Sequence, residues 1–312
     1  MRSPMRSITL SEPFAGLQSQ AVGLAEAAGL QPELVSLQAR APWRWITARA
    51  WPAPLRAVRL PDPGDAVIIG AGGTAAVVGA ALRRPGRPVV QVQHPRIDPG
   101  RFDLIVVNRH DGLTGPNVVV TRTALHRATA ARMATAAAEW APRLAHLPRP
   151  LVAVLVGGSN GRFRLDAAVA AALGAGLAAM MRVDRVGLAL TPSRRTSDAA
   201  RAALTAAVVP GGGWVWDMAG DNPYFGLLGL ADAIVVTEDS VSMVSEAVAT
   251  RVPVLLAALP GRSRRIRLFN RFLLDENRMR PFAGRLDLWP VAPIDDTQAA
   301  ADEMCRRLGL ED

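Results

Sequence analysis

Short apolar runs alternate with longer stretches of helical period along almost the whole chain. In the first half, residues 7–10, 34–37, 65–70, 88–93, 104–107 and 118–121 read as strands, and 18–28, 74–83 and 122–140 as helices. The second half repeats the rhythm, with strands at 151–156, 186–190, 214–216, 233–237 and 253–258. Helical stretches at 167–181, 198–208, 223–228, 242–249 and 297–308 separate or follow them. The run 151–156 is apolar at every position, as expected of a strand covered on both faces. Strand–helix alternation predicts an α/β protein built on parallel sheets with helices on both sides.

The rhythm breaks once. Pro142, Pro148 and Pro150 fall close together, and proline removes a backbone donor and stops helices. With 312 residues, two domains are expected. The break places them at 1–147 and 148–285, leaving 286–312 as a terminal segment and helix that packs back on the first domain. Half the residues are hydrophobic but only 5% are aromatic, so the cores are expected to consist of Ala, Val and Leu. The most apolar stretch, 66–82, is cut by Gly70, Gly72, Gly73 and Gly79, and no uninterrupted run reaches the ~18 residues of a membrane span. The basic N-terminus lacks the apolar core of a secretory signal. The expected location is the cytoplasm, or the inner face of the membrane as a peripheral protein.

The net charge of +9 changes the picture less than its size suggests, because all 36 basic residues are arginine and lysine is absent. Such a bias, alongside abundant Ala, Gly and Pro, reads as scattered solvated arginines. No nucleic-acid motif is present, and no nucleic-acid partner is expected. Trp43-Arg44-Trp45 and Trp51 fit either packing against the first domain or contact with a membrane surface. Without lysine there is no P-loop lysine, no Schiff-base lysine and no Tyr-x-x-x-Lys pair. One cysteine, Cys305, excludes a disulfide framework and a cysteine-based zinc cluster. The four histidines lack metal-ligand spacing, so neither a metal nor a cofactor is expected.

Three polar clusters follow strands of the second half, where open α/β sheets bind ligands. In the first, Gly157-Gly158-Ser159-Asn160-Gly161 separates an apolar strand from a helix that Asp166 can cap. Glycines permit close backbone approach, and a helix start offers free amides and partial positive charge to a phosphate. The second, Thr191 to Thr196, carries Arg194, Arg195 and Thr196, donors suited to a diphosphate. The third, 237–246, carries Ser240 and Ser242 at a helix start. Glu246 lies further along that helix, where a carboxylate can take a pair of sugar hydroxyls. Each has a plainer alternative: a tight turn, solvated arginines, or ordinary capping by Asp239 or Ser240 with Glu246 in solvent. In the first half, His94, His110 and Asp111 follow strands and are the candidate general bases.

The stretches VIIGAGGTAAVVGAALRR, VVQVQHPR and ADAIVVTEDSVSMVSEAVATRVPVLLAALP resemble segments of GT-B glycosyltransferases. GPNVVVTRTALHR, VLVGGSNGRFRLD, TPSRRT, DNPYFGLLGLADAIVVTEDSVSMVSEA and RPFAG are similar to the mitochondrial-fission-protein family of elongated-mitochondria type. The likeness covers nearly the whole chain, and the composition suggests a bacterial member. It implies a GT-B-like fold: two Rossmann-like domains whose parallel sheets face each other across a cleft. It also implies a nucleotide-sugar site using Gly157, Gly158, Ser159, Asn160, Arg194, Arg195, Ser240, Ser242 and Glu246. For plant members it implies an adaptor role, recruiting a dynamin-related protein to mitochondria. Two departures stand out: Leu17 in the first loop, where a polar residue is expected, and Asp239-Ser240 where many such enzymes place Ser-Gly.

The resulting expectation is a nucleotide-sugar-dependent, glycosyltransferase-like protein holding a diphosphate at the strand-to-helix loops of its second domain. A GT-B-like nucleotide-sugar epimerase and a non-catalytic scaffold or adaptor are the alternatives.

Overall fold

The computed structural model describes residues 5–310. The chain forms two compact units, one comprising residues up to Arg127 together with those from Asp295 onward, the other Ala128–Ile294.

The first unit contains β1 (Arg6–Ser11), α1 (Ala15–Ala27), β2 (Gln31–Ser36), the single turn α2 (Pro54–Ala57), β3 (Val67–Ala71) and α3 (Gly73–Leu82). It continues with β4 (Val89–Val92), β5 (Leu104–Asn108) and β6 (Val118–Thr121). All six strands are parallel, in the order β2-β1-β3-β4-β5-β6. Alternate residues of β3 feed opposite layers: Ile68 packs with Ile8, Leu10 and Ile105, and Val67 and Ile69 with Val90 and Leu104. That two-sided burial, at about 1.5–3 kcal/mol per aliphatic side chain, is why β3 and β5 are apolar almost throughout. β2 and β3 lie on either side of β1, so the strand order switches direction there and the loops after β1 and β3 flank a crevice at the sheet's C-terminal edge.

The second unit opens with α4 (Ala130–Leu144), then β7 (Leu151–Val156), α5 (Ala167–Asp184), β8 (Gly187–Pro192), α6 (Asp198–Val208) and β9 (Trp214–Val215). α7 (Tyr224–Leu230), β10 (Ala233–Thr237), α8 (Val241–Val248), β11 (Val254–Ala257), α9 (Arg264–Asp275) and β12 (Met279–Pro281) complete it. Again all pairings are parallel, in the order β12-β11-β10-β7-β8-β9. The switch in strand order falls between β7 and β10. By length and composition α5 could cross a membrane. Its apolarity is mostly alanine, and as the β7–β8 crossover it buries Ala170, Gly174, Leu177, Met180 and Met181.

Two features depart from the sequence expectations, and a third agrees with them. The division between units falls before α4, not at 147/148 within the proline-rich stretch, because Trp140 and Leu144 of α4 are buried within the second unit and Trp140 packs against Gly226 of α7. Thr129 caps α4 by accepting the Arg132 amide at 3.2 Å, and Pro142 sits inside the helix without ending it. α9 and β12 were not predicted. α9 is capped by Ser263 and buries Ile266, Phe269, Asn270 and Leu273 along one face. The terminal helix α10 (Thr297–Leu308) belongs to the first unit, where Ala300, Ala301 and Met304 join the layer formed by Ala21, Leu24 and Ala25 of α1.

Candidate functional site

The three polar clusters of the second unit meet. They follow β7, β8 and β10, which are neighbours in the sheet, and two of them flank the switch in strand order. Asp239 joins them. Its Oδ2 accepts the Gly158 amide at 3.2 Å and lies 2.8 Å from Arg195 Nη2, while its Oδ1 accepts the Thr237 hydroxyl at 2.7 Å. The Gly157 amide in turn donates to Thr237 Oγ1 at 2.8 Å. The hydroxyls of Ser193 and Thr196 both donate to the Gly157 carbonyl. The Asp239 side chain has no solvent exposure, so its charge is held by these donors and by Arg195.

This network gives the glycines a cause different from close approach to a ligand. A Cβ on Gly157 would lie 2.2 Å from Asp239 Oδ1, and one on Gly158 2.1 Å from the Arg195 carbonyl oxygen. The loops approach each other so closely that only glycine fits. Ser159 and Asn160 also order the loop: Ser159 Oγ accepts the Leu165 amide at 2.8 Å, and Asn160 Oδ1 accepts the amides of Arg162 and Phe163, each at 2.9 Å. Arg194 is exposed and has no ion-pair partner among the described residues. Ser240, not Asp239, caps α8, its Oγ accepting the Met243 amide at 3.4 Å. The amides of Val241 and Ser242 occupy the first turn of α8, ahead of the helix's own bonding ladder and at its positive end.

Glu246 is neither in solvent nor presented to it. The residue is 6% exposed, and its Oε2 accepts the Tyr224 hydroxyl at 2.6 Å. Burial pushes the Tyr224 phenol well above its ordinary pKa, and the negative charge and hydrogen bond of Glu246 push it further. A grip on sugar hydroxyls would require this buried pair to open.

In the first unit, His94 Nδ1 accepts the Arg96 amide at 3.0 Å. His110 and Asp111 share the one-turn helix after β5, with Nε2 and Oδ1 3.8 Å apart and side chains only 5% and 1% exposed. One residue that sequence reasoning passed over lies at the switch between β1 and β3. Glu12 Oε1 accepts the Thr74 amide at 3.0 Å, placing a carboxylate on the N-terminus of α3. Its Oε2 is buried without a hydrogen-bond partner. Gly72, at φ +97°, leaves room for it, because a Cβ there would come within 2.5 Å of that oxygen. The signal was present: an acidic residue directly after the first strand, facing a Gly-Gly turn after the third.

A family model described as mitochondrial fission ELM1 matches residues 15–308. The chain belongs to that family. Mitochondrial fission protein ELM1 of Arabidopsis thaliana is 30% identical over 279 aligned positions, covering 78% of this chain and 64% of that protein. The chain thus spans a little under two thirds of that relative's length. Among solved structures, the UDP-GlcNAc 2-epimerase from Methanocaldococcus jannaschii aligns with a TM-score of 0.57 at 11% identity, covering 98% of this chain and all of that one. UDP-GlcNAc 2-epimerase from Neisseria meningitidis, bound to UDP-GlcNAc, gives 0.54 at 10% identity, covering 98% of this chain and 100% of the other. The glycosyltransferase SnogD from Streptomyces nogalater gives 0.51 at 15% identity, with 98% and 95% coverage. These likenesses establish the fold: two Rossmann-like domains on parallel sheets, of the GT-B kind. In this chain the GT-B plan carries Glu12 and Asp239 as carboxylates beside the strand-order switches of its two sheets.

Proposed function

We propose that this member of the family binds a nucleoside diphosphate, as part of a nucleotide sugar, at the C-terminal edge of its second sheet and acts as a glycosyltransferase-like protein. The observation that carries the reading is the convergence of the loops after β7, β8 and β10 on Asp239. That convergence brings the loop carrying Arg194 and Arg195 and the loop leading into α8 together at one edge of the sheet. Guanidinium groups and helix-start amides are the donors a diphosphate needs. Solved proteins of the same fold include one bound to UDP-GlcNAc, which supports the same ligand class.

In the transfer reaction, an acceptor hydroxyl oxygen bonds to the anomeric carbon as the bond from that carbon to the diphosphate oxygen breaks. The diphosphate leaves with the electron pair, and the acceptor proton passes to a base. Arg194, Arg195 and the α8 amides would stabilise the charge growing on the leaving diphosphate, the larger part of such catalysis. The candidate bases His94, His110 and Asp111 and the carboxylate Glu12 each follow a strand at the C-terminal edge of the first unit's sheet.

A second reading, an adaptor that keeps the fold without the chemistry, has its own support. The buried Glu246–Tyr224 pair and the Glu12 carboxylate on α3 fill with protein groups two places where a ligand would otherwise sit.

Calorimetric titration with UDP, GDP, ADP and UDP-GlcNAc tests the first reading. Saturable heat with one of them, matched by a rise in melting temperature, is expected. No heat at millimolar ligand with an unchanged melting temperature would leave the adaptor reading standing alone. For a ligand that binds, incubation in heavy water separates epimerisation, which exchanges a ring proton, from transfer, which does not.

A further inference from the structure

Residues 40–59 of the first unit combine unpaired cations with exposed apolar side chains. Between Glu33 and Asp62 the chain has no carboxylate side chain, while Arg40, Arg44, Arg49, Arg56 and Arg59 all fall in that interval. All five are exposed, and none has an ion-pair partner among the described residues. Elsewhere in the same unit, Arg6, Arg83, Arg84, Arg122 and Arg127 each hold an acidic partner.

The segment is held in shape. Trp51 is 7% exposed, and its indole N–H is shared between the carbonyls of Trp43, at 3.1 Å, and Ile46, at 3.3 Å. The Arg40 amide bonds the Ala57 carbonyl at 2.9 Å, closing the two ends of the segment on each other. With Trp51 serving as the internal anchor, Trp45 is turned outward and is 67% exposed, beside Ile46 at 47% and Leu55 at 43%. The Arg44 guanidinium lies over the Trp45 ring, 4.6 Å from its centre.

The tryptophans that the sequence grouped together therefore divide into one that builds the loop and one that the loop displays. An ordered loop that displays an indole and two aliphatic side chains among uncompensated arginines matches the chemistry of a bilayer interface. Tryptophan partitions to the headgroup level, aliphatic groups reach the acyl boundary, and cations attract anionic headgroups. Trp45 and the arginines alone would also suit a single-stranded nucleic acid. Ile46 and Leu55 decide against it, since they offer neither a stacking plane nor a charge to such a strand.

We propose that segment 40–59 is a docking surface for an anionic lipid bilayer, with Trp45, Ile46 and Leu55 entering the interface and the five arginines holding headgroup phosphates.

The test is co-sedimentation of the full chain with vesicles of phosphatidylcholine alone or mixed with phosphatidylglycerol, at low and high salt. The wild-type protein should sediment only with the anionic vesicles, and less at high salt. Replacing three cations (R44Q, R49Q, R56Q) should lower partitioning about a hundredfold, at about fivefold per charge near the surface. Trp45→Ser with Ile46→Ser should also abolish sedimentation while the arginines remain. All these side chains are exposed, so unchanged circular dichroism and melting temperature are expected in both variants. Wild-type protein left in the supernatant with anionic vesicles would overturn the proposal, as would sedimentation that survives both variants. Sedimentation that depends on the arginines but not on Trp45 and Ile46, and is abolished by competing single-stranded RNA, would assign the surface to nucleic acid and equally overturn it.

Discussion

Arg195 holds Asp239 at 2.8 Å, and through that pair the loop after β8 is fastened to the loops after β7 and β10. Asp239 has no solvent exposure, while Arg195 keeps 39% of its side chain in water. Asp239→Ala leaves the Gly158 amide and the Thr237 hydroxyl without their acceptor, and hydrogen bonds to a charged group contribute about 1.5–3 kcal/mol each. A loss of about 3–5 kcal/mol in urea unfolding is expected. Arg194→Ala, at an exposed site, should leave stability within about 0.5 kcal/mol while weakening nucleoside-diphosphate binding. If Asp239→Ala unfolds at the wild-type urea midpoint, the loops are held by something other than this carboxylate.

Glu12 and Gly72 form the matching device in the first unit. Gly72 has φ +97° and ψ 179°, and a Cβ there would meet the Glu12 carboxylate at 2.5 Å. Two costs are thus combined in Gly72→Ala: backbone strain of about 1–3 kcal/mol in a region populated almost only by glycine, and the clash. Glu12→Ala alone should cost about 1 kcal/mol by uncapping α3. In the double variant the clash with Glu12 is gone, while the strain and the 2.8 Å approach to Leu17 Cδ1 persist, so the two effects should add to less than their sum. Strict additivity in a double-mutant cycle would show that Glu12 does not occupy the space Gly72 leaves.

Much of this architecture was legible because its strands are short, buried and apolar. The runs at 151–156 and 233–237 coincide with β7 and β10, since a strand buried on both faces has no solvent side to blur its ends. α9 escaped although its pattern was present. Ser263 precedes Ile266, Phe269, Asn270 and Leu273 at helical spacing, but Arg264, Arg265, Arg267 and Arg271 fall among the apolar residues and obscured the period. The site was legible in its loops and not in its contacts. Strand alternation implied that the loops after β7, β8 and β10 share a sheet edge. It could not reveal that Asp239 would turn inward to join them, or that Tyr224 would claim Glu246 across 22 residues of sequence. Those pairings depend on tertiary approach, which no local spacing encodes.

The assignment of α4 to the second unit is open to direct test through Gly226. A Cβ at that position would lie 2.6 Å from Trp140 Cδ1, where the indole of α4 packs on α7 and meets Trp214 edge-on at 5.8 Å. Gly226→Ala should destabilise the protein by about 1–3 kcal/mol through overpacking, and Trp140→Ala by about 3–5 kcal/mol through the cavity it opens. Combining them should cost less than the sum of the two, because the contact with the indole is removed and only the 2.9 Å approach to the Cβ of residue 140 remains. Unfolding free energies measured in urea decide the matter, and strict additivity of the two losses would contradict the packing described.

Acid sensitivity should come in two separate windows. Burial holds the His126 pKa below its ordinary value, against the opposing pull of Asp295, whose Oδ1 lies 3.4 Å from the ring Nε2. The unfolded chain then takes up a proton at about pH 6.5, before the folded chain does. Stability from this group is complete above that pH and is lost as pH falls through the lower, folded value. Glu303 acts further down the scale: hydrogen bonds from Arg306 and Arg307 bring its pKa to about 2, so its contribution fades only below the ordinary carboxylate range. Between pH 7.5 and 5.5 the slope should therefore report His126. His126→Phe is expected to flatten it. Asp295→Asn removes the group that favours the imidazolium and should steepen it. Melting temperatures that fall equally over this interval in wild type and His126→Phe would show that the buried imidazole is not the source of the acid sensitivity.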